Sequence, residues 1–176
     1  MIFTPTKLSG AFIIDLEKRE DSRGFFARTF CEKEFAAQGL KTAYVQGNAS
    51  FNHVKGTVRG MHYQVAPMTE VKLVRCTAGA IYDIIVDMRP DSPTYLQHAG
   101  VELSAENRRA FYVPEMFAHG YLTLTDGAEV SYQVSQVYGP DCERGLRYDD
   151  PALGLEWPVP VVVVSDKDAK WPLLNK

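Results

Sequence analysis

Glu129-Val130-Ser131-Tyr132-Gln133-Val134-Ser135-Gln136-Val137-Tyr138 largely alternates apolar or aromatic residues with polar ones. Side chains of a strand point to opposite faces in turn, so Val130, Tyr132, Val134, Gln136 and Tyr138 are expected on one face, with both tyrosines directed the same way. Working outward, Phe12 to Leu16, Lys72 to Cys76, Ala80 to Met88 and Arg109 to Val113 are further short runs of this kind, separated by Gly, Pro, Asp or Asn. Many short strands between turn residues predict an all-β sandwich or barrel. Lys33 to Gln38 and Ser104 to Arg108 are long enough for only one or two helical turns each and cannot organise the fold. The proline-containing stretch from Asp149 to Pro160 reads as a loop leading to a last short strand, Val161 to Val164. With no repeat, low-complexity tract or linker, residues 1–176 are expected to form a single domain.

Composition narrows the function classes. The chain has 176 residues, 45% hydrophobic and 23% charged, enough to bury a core without disulfide or metal support. A formal charge of -3 and the lack of a basic run argue against a nucleic-acid partner, while leaving room for a small anionic ligand held by local positive charge. Cys31, Cys76 and Cys142 form no CxxC pair and read as reduced thiols. Met1 to Ser9 is not a signal sequence, and no run approaches the roughly 18 apolar residues that span a bilayer. A soluble cytoplasmic protein without a membrane partner is expected.

The chemistry concentrates in Val58-Arg59-Gly60-Met61-His62-Tyr63-Gln64 and in Val71-Lys72-Leu73-Val74-Arg75. An arginine, a histidine and a lysine on two neighbouring strand-like runs suit a phosphorylated sugar whose carbonyl skeleton must lose and regain a proton. Each residue also has a plainer reading. A lone strand histidine is more often structural, Lys72 could be an outward-facing barrel residue, and strands favour tyrosines such as Tyr132 and Tyr138 for packing alone. Arg23-Gly24-Phe25-Phe26 reads either as a phosphate and base contact or as a turn feeding an apolar strand. In Ser165-Asp166-Lys167-Asp168 an aspartate either caps a short helix, the commoner use, or orients a histidine. A metal held by His62, Glu70 and His119 is the remaining alternative, although the His-x-His pair common in metal-binding barrels is missing because Tyr63 and Gln64 follow His62. There is no phosphate-binding glycine loop and no Gly-x-Ser-x-Gly elbow.

Taken together, Asp21-Ser22-Arg23-Gly24-Phe25-Phe26, Gln46-Gly47-Asn48-Ala49-Ser50, Arg59-Gly60-Met61-His62-Tyr63-Gln64, Lys72-Leu73-Val74-Arg75, Phe117-Ala118-His119-Gly120, Tyr132, Tyr138, Trp157-Pro158 and Ser165-Asp166-Lys167-Asp168 form an ordered series along nearly the whole chain. That series resembles the dTDP-4-dehydrorhamnose 3,5-epimerase family. The resemblance implies a cupin-like double-stranded β-helix barrel, a jelly roll of two antiparallel sheets with short peripheral helices. It also implies a homodimer that uses no metal, nicotinamide or other cofactor and takes a nucleotide-diphosphate sugar. By position it makes His62 the base, Asp168 its orienting carboxylate, Tyr132 the acid on the opposite sugar face and Lys72 the neighbour of the C4 oxygen. Arg23 and Arg59 become diphosphate ligands; Gln46, Asn48, His119, Glu143 and Lys167 become further substrate contacts; Phe26 and Tyr138 flank the base.

A 4-keto group acidifies the hydrogens on C3 and C5, and removal of either leaves an enolate with its charge on O4. Inversion then requires reprotonation from the other face, which calls for two different groups on opposite walls. Three departures bear on specificity, one of them Tyr148-Asp149 in place of the family's usual Trp-Asn before Asp-Pro. Arg28 stands where the family commonly carries a glutamate near the nucleobase, and Pro67-Met68-Thr69-Glu70 differs from the common loop before the lysine. Another nucleotide, or a deoxy- or amino-hexulose, is a consequence to expect. The leading expectation is a cofactor-free epimerase of a nucleotide-linked 4-keto-6-deoxyhexose at C3, C5 or both, with a C3-only or C5-only epimerase as its rival. From other classes, a metal-dependent cupin oxygenase and a non-catalytic sugar-nucleotide binding protein stay open.

Overall fold

The computed structural model describes residues 1–174. Its thirteen strands are β1 (Ile2–Pro5), β2 (Phe12–Asp15), β3 (Arg19–Asp21), β4 (Gly24–Phe26), β5 (Gln46–Asn52), β6 (Val58–Gln64), β7 (Lys72–Ala78), β8 (Ala80–Asp87), β9 (His98–Ser104), β10 (Ala110–Val113), β11 (Phe117–Thr123), β12 (Ala128–Val134) and β13 (Glu143–Gly145). Two short helices complete it, α1 (Glu32–Ala37) and α2 (Asp166–Ala169). A six-stranded sheet runs β1-β2-β10-β7-β12-β5 and a five-stranded sheet runs β13-β6-β11-β8-β9, while β3 and β4 form a separate ribbon. Every pairing within these sheets is antiparallel. This is the expected all-β jelly roll of two sheets with short peripheral helices.

The strand patterns follow from burial. On β8, Ile81 and Ile85 point between the sheets, whereas Ile84 and Val86 point outward into a second cluster with Met61, Ala118, Leu146 and Leu153. Both faces of the strand are therefore covered, which is why Ala80 to Asp87 is nearly continuous in apolar residues rather than alternating. The inner layer joins Val74, Cys76, Phe111, Val113 and Val130 of one sheet to Ile81, Ile85, Val101, Leu103, Phe117 and Tyr121 of the other. A third cluster, with Phe35 of α1 packed among Ile14, Leu73, Ala110 and Tyr112, seals the outer face of the six-stranded sheet.

Three expectations need correction. Ser104 to Arg108 is a single turn, not a helix: the Arg108 N–H reaches the Ser104 carbonyl at 2.9 Å and Ser104 and Asn107 bond reciprocally, but Arg108 turns left-handed at φ +57 and the Arg109 N–H goes to the Asn107 side chain, so no second turn follows. Val161 to Val164 is not a ladder strand. It meets the barrel only through a parallel bridge of Val163 to Thr57, with Val162 among the most exposed apolar residues. The regular strand around Tyr132 stops at Val134, so Gln136 and Tyr138 lie beyond the sheet. Among the described residues no helix is long and apolar enough to cross a membrane.

One irregularity, between β6 and β11, shapes the interior of the barrel. His119 pairs with His62 and Tyr121 with Arg59, so three steps on β6 oppose two on β11. The extra residue is a bulge, and it lets Arg59 and His62, which strict alternation would place on opposite faces, line the same cavity. Gly60 sits at this point with φ +109, and a Cβ there would lie 2.6 Å from the His119 carbonyl oxygen and 2.7 Å from the Gly120 Cα. Both neighbours are backbone and cannot rotate away. Gly60→Ala is expected to destabilise the fold by about 2–4 kcal/mol through strain and overpacking, measured as a fall in the denaturant midpoint, with activity lost from the fraction that remains folded.

Candidate active site

A cavity of about 440 Å³ is lined by residues of both sheets. From the five-stranded sheet it receives Arg59 and His62 on β6 and His119 and Tyr121 on β11; from the six-stranded sheet come Ser50 on β5, Lys72 on β7 and Tyr132 on β12. Strand parity explains the second set. Lys72 falls in step with Val74 and Cys76, the inward residues of β7, so it is not the outward-facing residue that its apolar neighbours suggest. A neighbouring cavity of about 320 Å³ is lined by Gln46, Asn48, Gln64, Glu70, Tyr138 and Glu143, and it shares His62, Lys72 and Tyr132 with the first. These three residues form the waist of one cleft.

At the waist, His62 Nε2 lies 2.6 Å from Asp168 Oδ1, and the other carboxylate oxygen accepts the Gly60 N–H at 3.1 Å. A carboxylate only accepts, so Nε2 carries the hydrogen and Nδ1 is left with a lone pair. Burial by itself would push the Asp168 carboxyl up; the hydrogen bond and charge of His62, together with the Gly60 amide, outweigh it and hold the group below the ordinary carboxylate range. Asp168 is not the helix cap that its setting suggested. Ser165 is the N-cap, accepting the Asp168 N–H at 3.1 Å, which frees the Asp168 side chain to reach β6.

Across the cleft, the Tyr132 hydroxyl makes no hydrogen bond among the described residues. Burial raises its phenol above the usual tyrosine value, with Tyr121 and Glu70 adding to the shift and Arg59 opposing it. Lys72 Nζ donates to the His62 carbonyl at 3.3 Å and lies 3.2 Å from Glu70 Oε1, so it spans the gap between the sheets. Deeper in, His119 Nε2 is 2.9 Å from Asp83 Oδ2. Asp83 has no solvent exposure and its carboxyl is pushed up by that burial against the pull of His119 and Lys72. Arg59 is aimed by Asn52, whose Oδ1 accepts its Nε–H at 2.7 Å, and Tyr121 is tied to Ser50 at 2.7 Å.

The remaining expected residues divide into two groups. Gln46, Asn48, Tyr138 and Glu143 line the outer cavity, and Lys167 lines the inner one. Tyr138 reaches it from beyond the strand, its N–H donated to Gln46 Oε1 and its hydroxyl to Glu143 Oε2, each at 2.9 Å. Lys167 contacts both Glu143 oxygens at 2.7 Å, bridging α2 and β13. Arg23, Phe26 and Arg28 do not join the cleft of their own chain. Arg23 is 88% exposed and paired with Asp21, Phe26 is 69% exposed on the β3–β4 ribbon, and Arg28 is paired with Glu34 at 3.1 Å.

Sequence reasoning missed Tyr121, Ser50 and Asp83. Asp83 had a readable signal, since a carboxylate in an otherwise apolar strand must find a partner when buried. Tyr121 and Ser50 had none, because only the inter-sheet geometry brings them together. Among the described residues no group of three or more His, Cys, Asp or Glu converges as a metal site, and both histidines at the proposed His62, Glu70 and His119 position commit Nε2 to a carboxylate.

Comparison with known proteins bears on this geometry directly. The family model described as dTDP-4-dehydrorhamnose 3,5-epimerase matches residues 5–176. A curated dTDP-4-dehydrorhamnose 3,5-epimerase of Methanothermobacter thermautotrophicus is 43% identical, covering 99% of this chain and 95% of its own length. The crystal structure of dTDP-4-dehydrorhamnose 3,5-epimerase from Bacillus anthracis with TDP and PPi bound superposes with a TM-score of 0.94 at 39% identity, covering 98% of this chain and 99% of that one. A dTDP-6-deoxy-D-glucose-3,5-epimerase from Legionella pneumophila in complex with dTDP-4-keto-L-rhamnose gives 0.91 at 38% identity, covering 98% and 92%. Sequence and fold agree, and the chain belongs to the dTDP-4-dehydrorhamnose 3,5-epimerase family.

Proposed function

We propose that this protein epimerises a dTDP-linked 4-keto-6-deoxyhexose at C3 and C5, through an enolate and without a cofactor. The observation that carries the reading is that His62 comes from one sheet and Tyr132 from the other while both line the same cavity. A sugar ring between them presents one face to the imidazole and the other to the phenol, which is the arrangement that inversion demands.

In this reading His62 Nδ1 takes the proton from carbon, with Asp168 holding the ring in the required tautomer and balancing the imidazolium that forms. Negative charge moves to O4, where the Lys72 ammonium stabilises it in a partly dry site. Tyr132, kept as a phenol by burial, delivers a proton to the opposite face. Arg59 and Lys167 are the cations available to the diphosphate, and Gln46, Asn48 and Tyr138 line the route toward the nucleoside. The bound ligands of the Bacillus and Legionella relatives support a thymidine nucleotide and a 4-keto sugar.

The homodimer belongs to the same proposal, with residues 1–176 acting as one domain in each copy. Arg23, Phe26 and Arg28 sit on or just after an exposed ribbon whose strands pair only with each other. They reach a nucleotide if the ribbon of a second copy lies across the cleft mouth.

Three measurements check these statements. Incubation with dTDP-4-keto-6-deoxyglucose in deuterated water is expected to place deuterium at C3 and at C5; label at one carbon alone makes the protein a mono-epimerase, and label at neither refutes the reaction. His62→Asn and Tyr132→Phe should each lower kcat by about 10²- to 10⁴-fold, the usual worth of a positioned acid or base, while Asp168→Asn should lower kcat with little change in KM. Mixing an Arg23→Ala chain with a His62→Asn chain should recover activity in hybrid dimers, whereas no recovery would show that Arg23 serves its own cleft or none.

A further inference from the structure

The cleft holds a carboxylate that the reaction scheme leaves without a task. Glu70 lies two residues before Lys72, and the two side chains are only 12% and 10% exposed. Removing both charges from water is costly and is offset only by accurate pairing. The loop is built to supply that accuracy. Gln64 donates to the Met68 carbonyl at 2.9 Å, Thr69 donates to Glu115 at 3.1 Å, and the Val71 N–H is taken by Ser135 at 2.8 Å. Glu70 is thus pinned from both sides, and its carboxylate forms part of the outer cavity wall.

The position of Lys72 has a competitor. Asp83 Oδ1 is buried and has no hydrogen-bond partner, and Asp83 lies within electrostatic reach of Lys72. An ammonium has three protons; one goes to the His62 carbonyl, one to Glu70, and one remains for a ligand. Without Glu70 the ammonium keeps only the His62 carbonyl as a protein acceptor among the described residues, and the buried carboxyl of Asp83 is left to pull on it through space.

We propose that Glu70 is a positioning residue: its carboxylate holds the Lys72 ammonium at the waist of the cleft, where the sugar's developing oxyanion needs it, and against capture by Asp83. This rests on the roles assigned above to Lys72 and Tyr132. The charged and titratable groups surrounding the pair are Arg59, His62 and Tyr63 on β6, Asp83 on β8, His119 and Tyr121 on β11, Tyr132 on β12, Tyr138 beyond it, Glu143 on β13, Lys167 and Asp168 on α2, and Glu115, bonded to Thr69. Of these Tyr132 feels Glu70 directly, and the negative charge helps to keep its phenol protonated. Removing that charge lets Tyr132 ionise at lower pH, so the alkaline limb of activity must move down, not up.

The test compares wild type, Glu70→Gln, Glu70→Asp and Lys72→Met by kcat, KM and pH profile on dTDP-4-keto-6-deoxyglucose. Glu70→Gln is expected to lower kcat about 10- to 100-fold, the worth of a hydrogen bond to a charged group, and to move the alkaline limb to lower pH. KM should not rise, because the cleft becomes more positive toward a diphosphate. Glu70→Asp, which keeps the charge but shortens the reach, should lower kcat while leaving the limb in place. Should Glu70→Gln fail to fold, this aspartate variant decides, and wild-type kcat in it would overturn the proposal. An inactive Lys72→Met beside a Glu70→Gln enzyme with unchanged kcat and limb overturns the role of Glu70 alone. Full activity in Lys72→Met overturns both that role and the reading it rests on.

Discussion

The close approach of β6 to β11 at Gly60 is the constraint on which the site depends. At that point there is no room for a side chain, and the extra residue of the bulge turns two positions of opposite parity toward one cavity. The same glycine amide binds the carboxylate of Asp168, so the backbone feature that aims Arg59 and His62 also fixes the group that orients the imidazole. A helix of four residues near the end of the chain is thereby joined to a strand more than one hundred residues earlier in sequence.

Charge in the cleft is arranged in pairs. His62 with Asp168, His119 with Asp83, Lys72 with Glu70 and Lys167 with Glu143 each bring one cation-forming group against one carboxylate. Arg59 is the exception, held by the neutral Asn52 and the Phe51 carbonyl, which leaves its charge available to a phosphate. Paired groups hold their geometry before a ligand arrives, which in the proposed reaction lowers the reorganisation needed as charge develops. The two sheets supply the opposing walls, and their inner apolar layer keeps those walls apart at a fixed distance.

The strands were legible from alternation because a half-buried strand must repeat every second residue, and β2, β7, β8, β10 and β12 start or end within two residues of their expected bounds at all but one end. The exception is the far end of β12, where Gln136 and Tyr138 keep the alternation but leave the ladder. Tyr138 nevertheless shares the outer cavity with Tyr132, held there by Gln46 and Glu143. Local polar bonds likewise overrode the helical expectation at Ser104 to Arg108.

By itself the sequence determined that the chain is all-β and, through ordered motifs, the family, and it supplied the acid, base and cationic residues proposed for the site. These are properties of residue type and spacing, and they survive without coordinates. Tertiary structure decided between the two readings of Lys72 and of Asp168, turning the first inward and joining the second to His62, and it alone showed that Tyr121, Ser50 and Asp83 belong to the site and that Arg23, Phe26 and Arg28 lie outside their own chain's cleft. The reason is that a site built between two sheets depends on the register, the bulge and the packing distance between strands remote in sequence, and no local pattern encodes those three quantities.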